Sequence, residues 1–231
     1  MAKILISDRS HPLAEELASL LREAGHEVTV FPKEPASREE VKALVKEAGT
    51  PDLLLLTEYS SLREPLAGGD ADRIAREVEE KLGAAFLLAK HFGAKMAETG
   101  KGGILILGSL AADKPTGSIP AYGMIQGALQ MMMKELSLYF GNYGVRVNML
   151  KLAPSEKEDA VFDSDLIRAY YDVETKAPIK GRVTARDAFG AVEYFLSDGA
   201  RLVNGADLRI DGGLLSYYFD RAYDPIREEE L

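Results

Sequence analysis

The chain has 231 residues, 46% of them apolar and 28% charged, which is typical of one folded domain with a sizeable core. Its formal charge of −9 at pH 7 disfavours nucleic acid and anionic membrane surfaces as partners. Because cysteine is absent, disulfides, thiolate nucleophiles and cysteine-ligated metal sites are excluded. We therefore expect a single domain over residues 1–231.

The apolar runs predict neither an export signal nor a membrane span. The run at residues 4–6 is too short for a signal peptide and is soon followed by Asp8. The run at residues 83–89 is flanked by lysines and is far shorter than the roughly 18–20 residues that cross a bilayer. We expect a cytoplasmic protein, and the three well-separated histidines lack the spacing of a metal site.

Strands and helices are predicted to alternate along the chain. Short apolar runs indicate buried strands, and apolar stripes at spacings of three and four residues indicate helices. The predicted strands are residues 3–7, 27–31, 52–56, 103–108, 145–150 and 206–210. The predicted helices are residues 13–24, 38–47, 70–98, 120–140 and 186–196. This order predicts an α/β fold, a doubly wound parallel sheet with helices on both faces and ligands at the carboxyl ends of its strands.

One helix is predicted to be unusually long, and its apolar stripe indicates the face that packs on the sheet. The members of this stripe are Ile74, Val78, Leu82, Phe86, Ala89, Gly93 and Met96.

Several segments carry a family resemblance through their joint order and spacing. These are residues 102–109, 121–122, 144–148, 181–183, 195–198 and 204–213. Together they resemble the short-chain dehydrogenase/reductase superfamily, over residues 70–213 in detail and over residues 1–69 in outline. The resemblance implies a Rossmann-like fold, a nicotinamide dinucleotide and a catalytic Ser, Tyr and Lys.

Half of the family's catalytic group is retained. Ser109 and Tyr122 keep the family's thirteen-residue separation, but Gln126 stands four residues after the tyrosine, where the family has Lys. A phenol with a pKa of about 10 needs a nearby cation to ionise near neutral pH, and an amide supplies none. Lys81 stands where the long helix should carry the family's Asn, and it is either a replacement cation or an ordinary solvated residue.

The cofactor end departs further from the family. Asp8, Pro12 and Ala14 align with three glycines that would let a diphosphate approach a helix N-terminus. Asp8 or Ser10 is expected to cap the following helix instead. The family's small Asn-Asn-Ala-Gly turn is matched in position by bulkier residues 56–59. We therefore expect no cofactor in this chain.

The N-terminal dinucleotide half is predicted to be shortened. Only about twenty residues separate the strand at 27–31 from the strand at 52–56, too few for the usual helix, strand and helix. The sheet is expected to lack one strand.

Assembly into a tetramer is implied by the resemblance, with a paralogue or with further copies of the chain. The contacts are expected through helices 72–98 and 120–140 and through the aromatic and acidic tail 214–231. Four methionines are assigned to such contacts, namely Met124, Met131, Met132 and Met133. The tail is equally compatible with packing on its own domain. The acidic run at Glu156, Glu158 and Asp159 is expected to be a solvated loop.

Three hypotheses follow. The first is a pseudoenzyme that lacks a competent NAD(P) site and serves as a structural or regulatory subunit, as in heteromeric hydroxyacyl-CoA dehydrogenases, with NAD bound by a catalytic partner. The second is a cofactor-independent enzyme, dehalogenase-like or lyase-like, that uses Ser109 and Tyr122. The third is an NAD(P)-dependent oxidoreductase with an unusual cofactor mode. We expect the first.

Overall fold

The computed structural model describes residues 1–8, 11–31, 37–58, 60, 62–65, 67–117, 119–155 and 171–216. The acidic run at Glu156, Glu158 and Asp159 lies outside these residues, as do Ser10, Tyr59 and residues 217–231 of the predicted tail.

Six parallel strands form one sheet, in the order β2-β1-β3-β4-β5-β6. The strands are β1 (Lys3–Ile6), β2 (Glu27–Val30), β3 (Leu53–Leu56), β4 (Gly102–Ser109), β5 (Val145–Leu152) and β6 (Asp207–Ile210). The helices are α1 (Ala14–Glu23), α2 (Arg38–Ala48), α3 (Ala71–Thr99), α4 (Pro120–Gly141) and α5 (Ala185–Leu196). The predicted α/β fold class is confirmed.

The shortened half is visible between β2 and β3. In this stretch the described residues form one helix, α2, and β3 pairs directly with β1. Ser37 caps α2 by accepting a hydrogen bond from the Glu40 N–H at 3.2 Å. Gly49 ends the helix with a φ of 68°, a conformation that favours glycine.

Alternate residues of the buried strands point into two separate apolar layers. Ile104 and Ile106 on β4 face the layer formed by α2, α3 and α4, whereas Leu105 and Leu107 face the layer formed by α1 and α5. This alternation follows from the two-residue period of a strand. It explains why the central strands are apolar at almost every position, as predicted.

The stripe on α3 differs from the prediction. Phe86 is 46% exposed, while Ala85, Leu88 and Phe92 are fully buried. A repeat of four residues drifts around a helix that turns every 3.6, so the series from Ile74 through Phe86 leaves the core side.

Candidate functional site

Ser109 and Tyr122 lie at the carboxyl edge of the sheet, as predicted. Ser109 is the last residue of β4 and is 6% exposed, and Tyr122 lies in the first turn of α4. Pro120 at the start of α4 favours this helix beginning because its ring fixes φ and the first N–H needs no partner. The Ser109 hydroxyl accepts a hydrogen bond from the Ala111 N–H at 3.2 Å.

Gln126 holds the end of β4 through its side-chain amide. Its Oε1 accepts the backbone N–H of Ser109 at 2.9 Å, and the residue is 2% exposed. Gly108 permits this approach, since a Cβ at that position would lie 3.0 Å from the same oxygen and 2.1 Å from Met149 Cε. A lysine at position 126 has no acceptor for the Ser109 N–H.

Tyr122 lies inside the core. It is 1% exposed and belongs to the apolar layer of α1 and α5, together with Leu110, Ile119 and Tyr171. The Tyr171 hydroxyl donates to the Lys114 carbonyl, and burial raises the pKa of Tyr171. The tyrosine of the predicted pair is therefore enclosed by side chains.

Lys81 is half-buried on α3, one helical turn before the buried Ala85. Phe86, five residues further along α3, lies on an exposed part of the helix.

A cavity of about 500 Å³ opens in the same region of the fold, but neither Ser109 nor Tyr122 lines it. It lies between the loop after β4 and the first turns of α4, and its lining includes Ala111, Thr116, Ile119 and Met124. Ser109 and Tyr122 are themselves buried, at 6% and 1% exposure.

The crevice between β1 and β3 is filled by a polar contact between the two loops that follow these strands. Ser7 Oγ donates to Glu58 Oε1 at 2.9 Å and accepts the Thr57 N–H at 2.9 Å. Thr57 Oγ1 donates to the Asp8 carbonyl at 2.7 Å and accepts the Asp8 N–H at 3.2 Å. Ser7, Asp8, Thr57 and Glu58 are each at most 3% exposed.

The crevice between β1 and β3 is the place where a ligand is expected, because the sheet's connections reverse direction there. β2 lies on one side of β1 and β3 on the other, so the loops after β1 and β3 flank the topological switch point, where doubly wound sheets bind ligands. We tested whether these residues fit a dinucleotide diphosphate. Asp8 stands at a position aligned with a family glycine, and the buried carboxyl group of Glu58, bonded to Ser7, stands in the turn that the family builds from small residues. These residues therefore do not fit a diphosphate.

His11 lies next to this crevice and supplies no positive charge near neutral pH. It is 6% exposed, and burial lowers its pKa to about 4 despite the opposing effect of Asp8. His11 Nδ1 accepts the Leu13 N–H at 3.2 Å. The N-cap position of α1 is Leu13 and not the predicted Asp8, and the Leu13 side chain makes no capping hydrogen bond. Ser10, the other predicted cap, lies outside the described residues.

Of the four methionines assigned to contacts, Met124 and Met131 are exposed, but Met133 is fully buried in the core, so its assignment is wrong. Met133 lies on the same helix row as Leu129 and Ile125.

Within the described ranges, no group of three His or acidic side chains could hold a metal ion.

Sequence reasoning missed a buried ion-pair network below the site. Lys151 on β5 is 1% exposed, and its Nζ lies 2.7 Å from Asp113 and 3.0 Å from Asp207. Gln130 Nε2 donates to Asp113 at 3.2 Å. The available signal was Lys151, directly after the predicted strand 145–150. The prediction ended the strand before this lysine, whereas the structure continues it to Leu152.

Comparisons with known proteins agree with the fold. Residues 2–215 match the family described as Enoyl-(Acyl carrier protein) reductase. A 2-dehydro-3-deoxy-D-gluconate 5-dehydrogenase of Pseudoalteromonas atlantica is 30% identical over 77% of this chain and 72% of its own length. The NADH-dependent enoyl-[acyl-carrier-protein] reductase FabI of Bacillus cereus is 26% identical over 86% of this chain and 79% of its own.

Among solved structures, the TT0495 protein of Thermus thermophilus has a TM-score of 0.81 at 22% identity, covering 94% of this chain and 100% of that chain. A 4-hydroxyisoleucine dehydrogenase complexed with NADH has a TM-score of 0.79 at 19% identity, covering the same shares. Among the described residues, no helix combines the length and apolar character needed to cross a membrane.

Proposed function

The chain belongs to the short-chain dehydrogenase/reductase superfamily of oxidoreductases, and we propose that it is a member without a competent NAD(P) site that acts as a structural or regulatory subunit of an oligomer. Its partner is a catalytic paralogue or a further copy of the chain. In a mixed assembly, the catalytic paralogue binds NAD.

One observation carries the proposal, namely the buried contact between the loops after β1 and β3. A diphosphate entering this crevice would meet the carboxyl groups of Asp8 and Glu58 and would have to break the bond from Ser7 to Glu58. Two unit charges 4 Å apart repel by about 4 kcal/mol at an effective dielectric constant near 20. Backbone N–H groups that would otherwise bind phosphate are engaged here by Ser7 and Thr57 side chains.

The catalytic end supports the same proposal. Gln126 uses its amide oxygen to hold Ser109, and Tyr122 is 1% exposed. A phenol enclosed among apolar side chains is a poor acid/base group, because its charged form is disfavoured there. The same burial disfavours the cofactor-independent alternative, since that chemistry needs the substrate to reach the Tyr122 hydroxyl.

The surface of α3 and α4 supports the oligomeric part. Large apolar side chains lie exposed along these two packed helices, where burial against a partner would remove them from water. These are Phe86, Met124, Met131, Leu138, Tyr139 and Tyr143, which are between 46% and 74% exposed. Protein interfaces are enriched in aromatic and Met side chains, so this surface has the composition of an interface.

Sedimentation velocity of the purified full-length chain tests the oligomeric part. We expect a species larger than the 25.2 kDa monomer at micromolar concentration, and we expect Phe86→Glu to dissociate it. Leu202→Glu is the matched control, because Leu202 is 80% exposed on the loop after α5. A wild-type monomer at micromolar concentration, with no paralogue bound, would contradict the proposal.

A further inference from the structure

A groove between α2 and α3 collects positive charge on a chain that is strongly acidic overall. Its lining includes Lys42 and Lys46 from α2 and His91 and Lys95 from α3, around a space of about 490 Å³. Two residues beyond α2, Gly49 and Thr50, close one end. We call this space the basic groove. This local excess of cations contrasts with the formal charge of −9 of the whole chain.

The cations of α2 are arranged unfavourably for the helix itself. Arg38, Lys42 and Lys46 repeat every four residues, and like charges at this spacing destabilise a helix. Arg38 lies in the first turn, where the helix dipole also disfavours a cation. Within the described part of the chain, no carboxylate forms an ion pair with any of these three.

The facing row on α3 contributes His91 and Lys95 to the groove. His91 is half-buried, and its Nε2 is shielded from water without a hydrogen-bond partner among the described residues. Lys95 pairs with the exposed Glu98 at 2.9 Å, which neutralises one of the groove's charges. Burial lowers the pKa of His91, with Lys90, Lys42 and Arg38 acting in the same direction.

We propose that the basic groove binds a small anion bearing phosphate groups, at a site separate from the crevice between β1 and β3. Phosphate oxygens accept charge-assisted hydrogen bonds from lysine ammonium groups on both helices. Such a ligand relieves the repulsion along α2 and offers His91 an acceptor. The site is independent of the proposed loss of the dinucleotide site, because it shares no residue with that crevice.

Histidine ring signals in carbon–proton NMR spectra of the full-length protein provide the test, with pyrophosphate as the probe. The chain has 3 histidines, so His11 and His26 serve as internal references. His26 lies elsewhere, with Nδ1 accepting the Ala2 N–H and Nε2 paired with Glu193 at 2.8 Å. We expect a saturable shift of the His91 signal and a rise of its pKa, since an anion opposes the cations around it.

Lys42→Gln/Lys46→Gln is the diagnostic variant, and Lys101→Gln/Lys134→Gln removes the same charge from exposed positions elsewhere. We expect about tenfold weaker binding in the first variant and no change in the second. An unmoved His91 signal in pyrophosphate would overturn the proposal, as would equal losses in both variants. Binding of duplex DNA or anionic vesicles through Lys42 and Lys46, without binding of pyrophosphate, would also overturn it.

Discussion

Gln126 Oε1 accepts the backbone N–H of Ser109 at 2.9 Å, which joins the first turns of α4 to the end of β4. In the superfamily, the residue at this position supplies the cation of the catalytic group. Here a buried neutral amide supplies an acceptor and no charge. The residue that stands in place of the family's lysine therefore holds the end of β4 against α4.

Gln126→Lys is expected to destabilise the fold by about 2–4 kcal/mol without creating NADH binding. The change leaves the Ser109 N–H without its acceptor and places an ammonium at a position that is 2% exposed. Gln126→Met, which removes the acceptor alone, is expected to lose about 1–3 kcal/mol. Urea unfolding measures both losses, and a lysine variant as stable as wild type would contradict this role of Gln126.

Ser7→Ala tests the contact that fills the crevice. Ser7 is fully buried, and the change removes both its bond to Glu58 and the acceptor of the Thr57 N–H. We expect a loss of about 1–3 kcal/mol in the free energy of unfolding. Ser19→Ala is the control, because the Ser19 hydroxyl makes an exposed contact with Glu23 and the change should cost less than about 0.5 kcal/mol. Equal small effects would show that the contact contributes little.

His11 is expected to make the fold acid-sensitive. Its pKa is about 4 in the folded chain against 6.5 for a free imidazole, so the unfolded chain takes up a proton first as the pH falls. The contribution is complete above pH 6.5 and is lost between pH 6.5 and about 4, by about 3 kcal/mol. His11→Asn should flatten this part of the stability–pH curve.

His26→Asn serves as the control for that measurement. His26 follows the C-terminal end of α1, whereas His11 precedes its N-terminal end, and His26 contacts Ala2 and Glu193. The variant's stability–pH curve separates the general effect of removing an imidazole from the effect of removing the buried His11. Identical slopes in wild type and the His11 variant would show that burial of His11 does not govern the acid loss.

Lys151→Met tests the buried ion-pair network. The change leaves Asp113 and Asp207, which are 33% and 32% exposed in their side chains, facing each other without their shared cation. We expect a loss of about 3 kcal/mol, at the lower end for a broken buried pair because both carboxylates keep some water. Lys95→Met breaks the exposed pair with Glu98 and should cost at most about 1 kcal/mol.

The sequence was sufficient for the fold because its periodicity is strong. Within the described residues, all six strands and five α-helices were predicted to within a few residues of their bounds, because buried runs such as residues 53–56 indicate strands and stripes such as Leu13, Leu17 and Leu21 indicate helices. The shortened half followed from counting residues between β2 and β3. Phe86 was misplaced because a series with four-residue spacing drifts from the 3.6-residue period of a helix. Met133 was misplaced because it was grouped with its neighbouring methionines, although it lies on the inward row with Leu129.

The site was predictable only in part. Spacing predicted that Ser109 ends a strand and that Tyr122 lies in the first turn of the next helix, with Gln126 one turn further on, and the structure has these positions. The burial of Tyr122 and the bonds from Ser7 to Thr57 and Glu58 depend on loops that meet across the sheet. No local pattern encodes such contacts, which join residues about 50 positions apart in sequence.

The central claim is that this member of the superfamily lacks a competent dinucleotide site, and titration with NADH and NADPH tests it most directly. Because the chain has no Trp, the emission of the reduced nicotinamide can be followed without energy transfer from tryptophan. The filled crevice predicts no saturable change up to millimolar cofactor. Saturable binding at micromolar NADH or NADPH would contradict the account and would restore the oxidoreductase hypothesis for this chain.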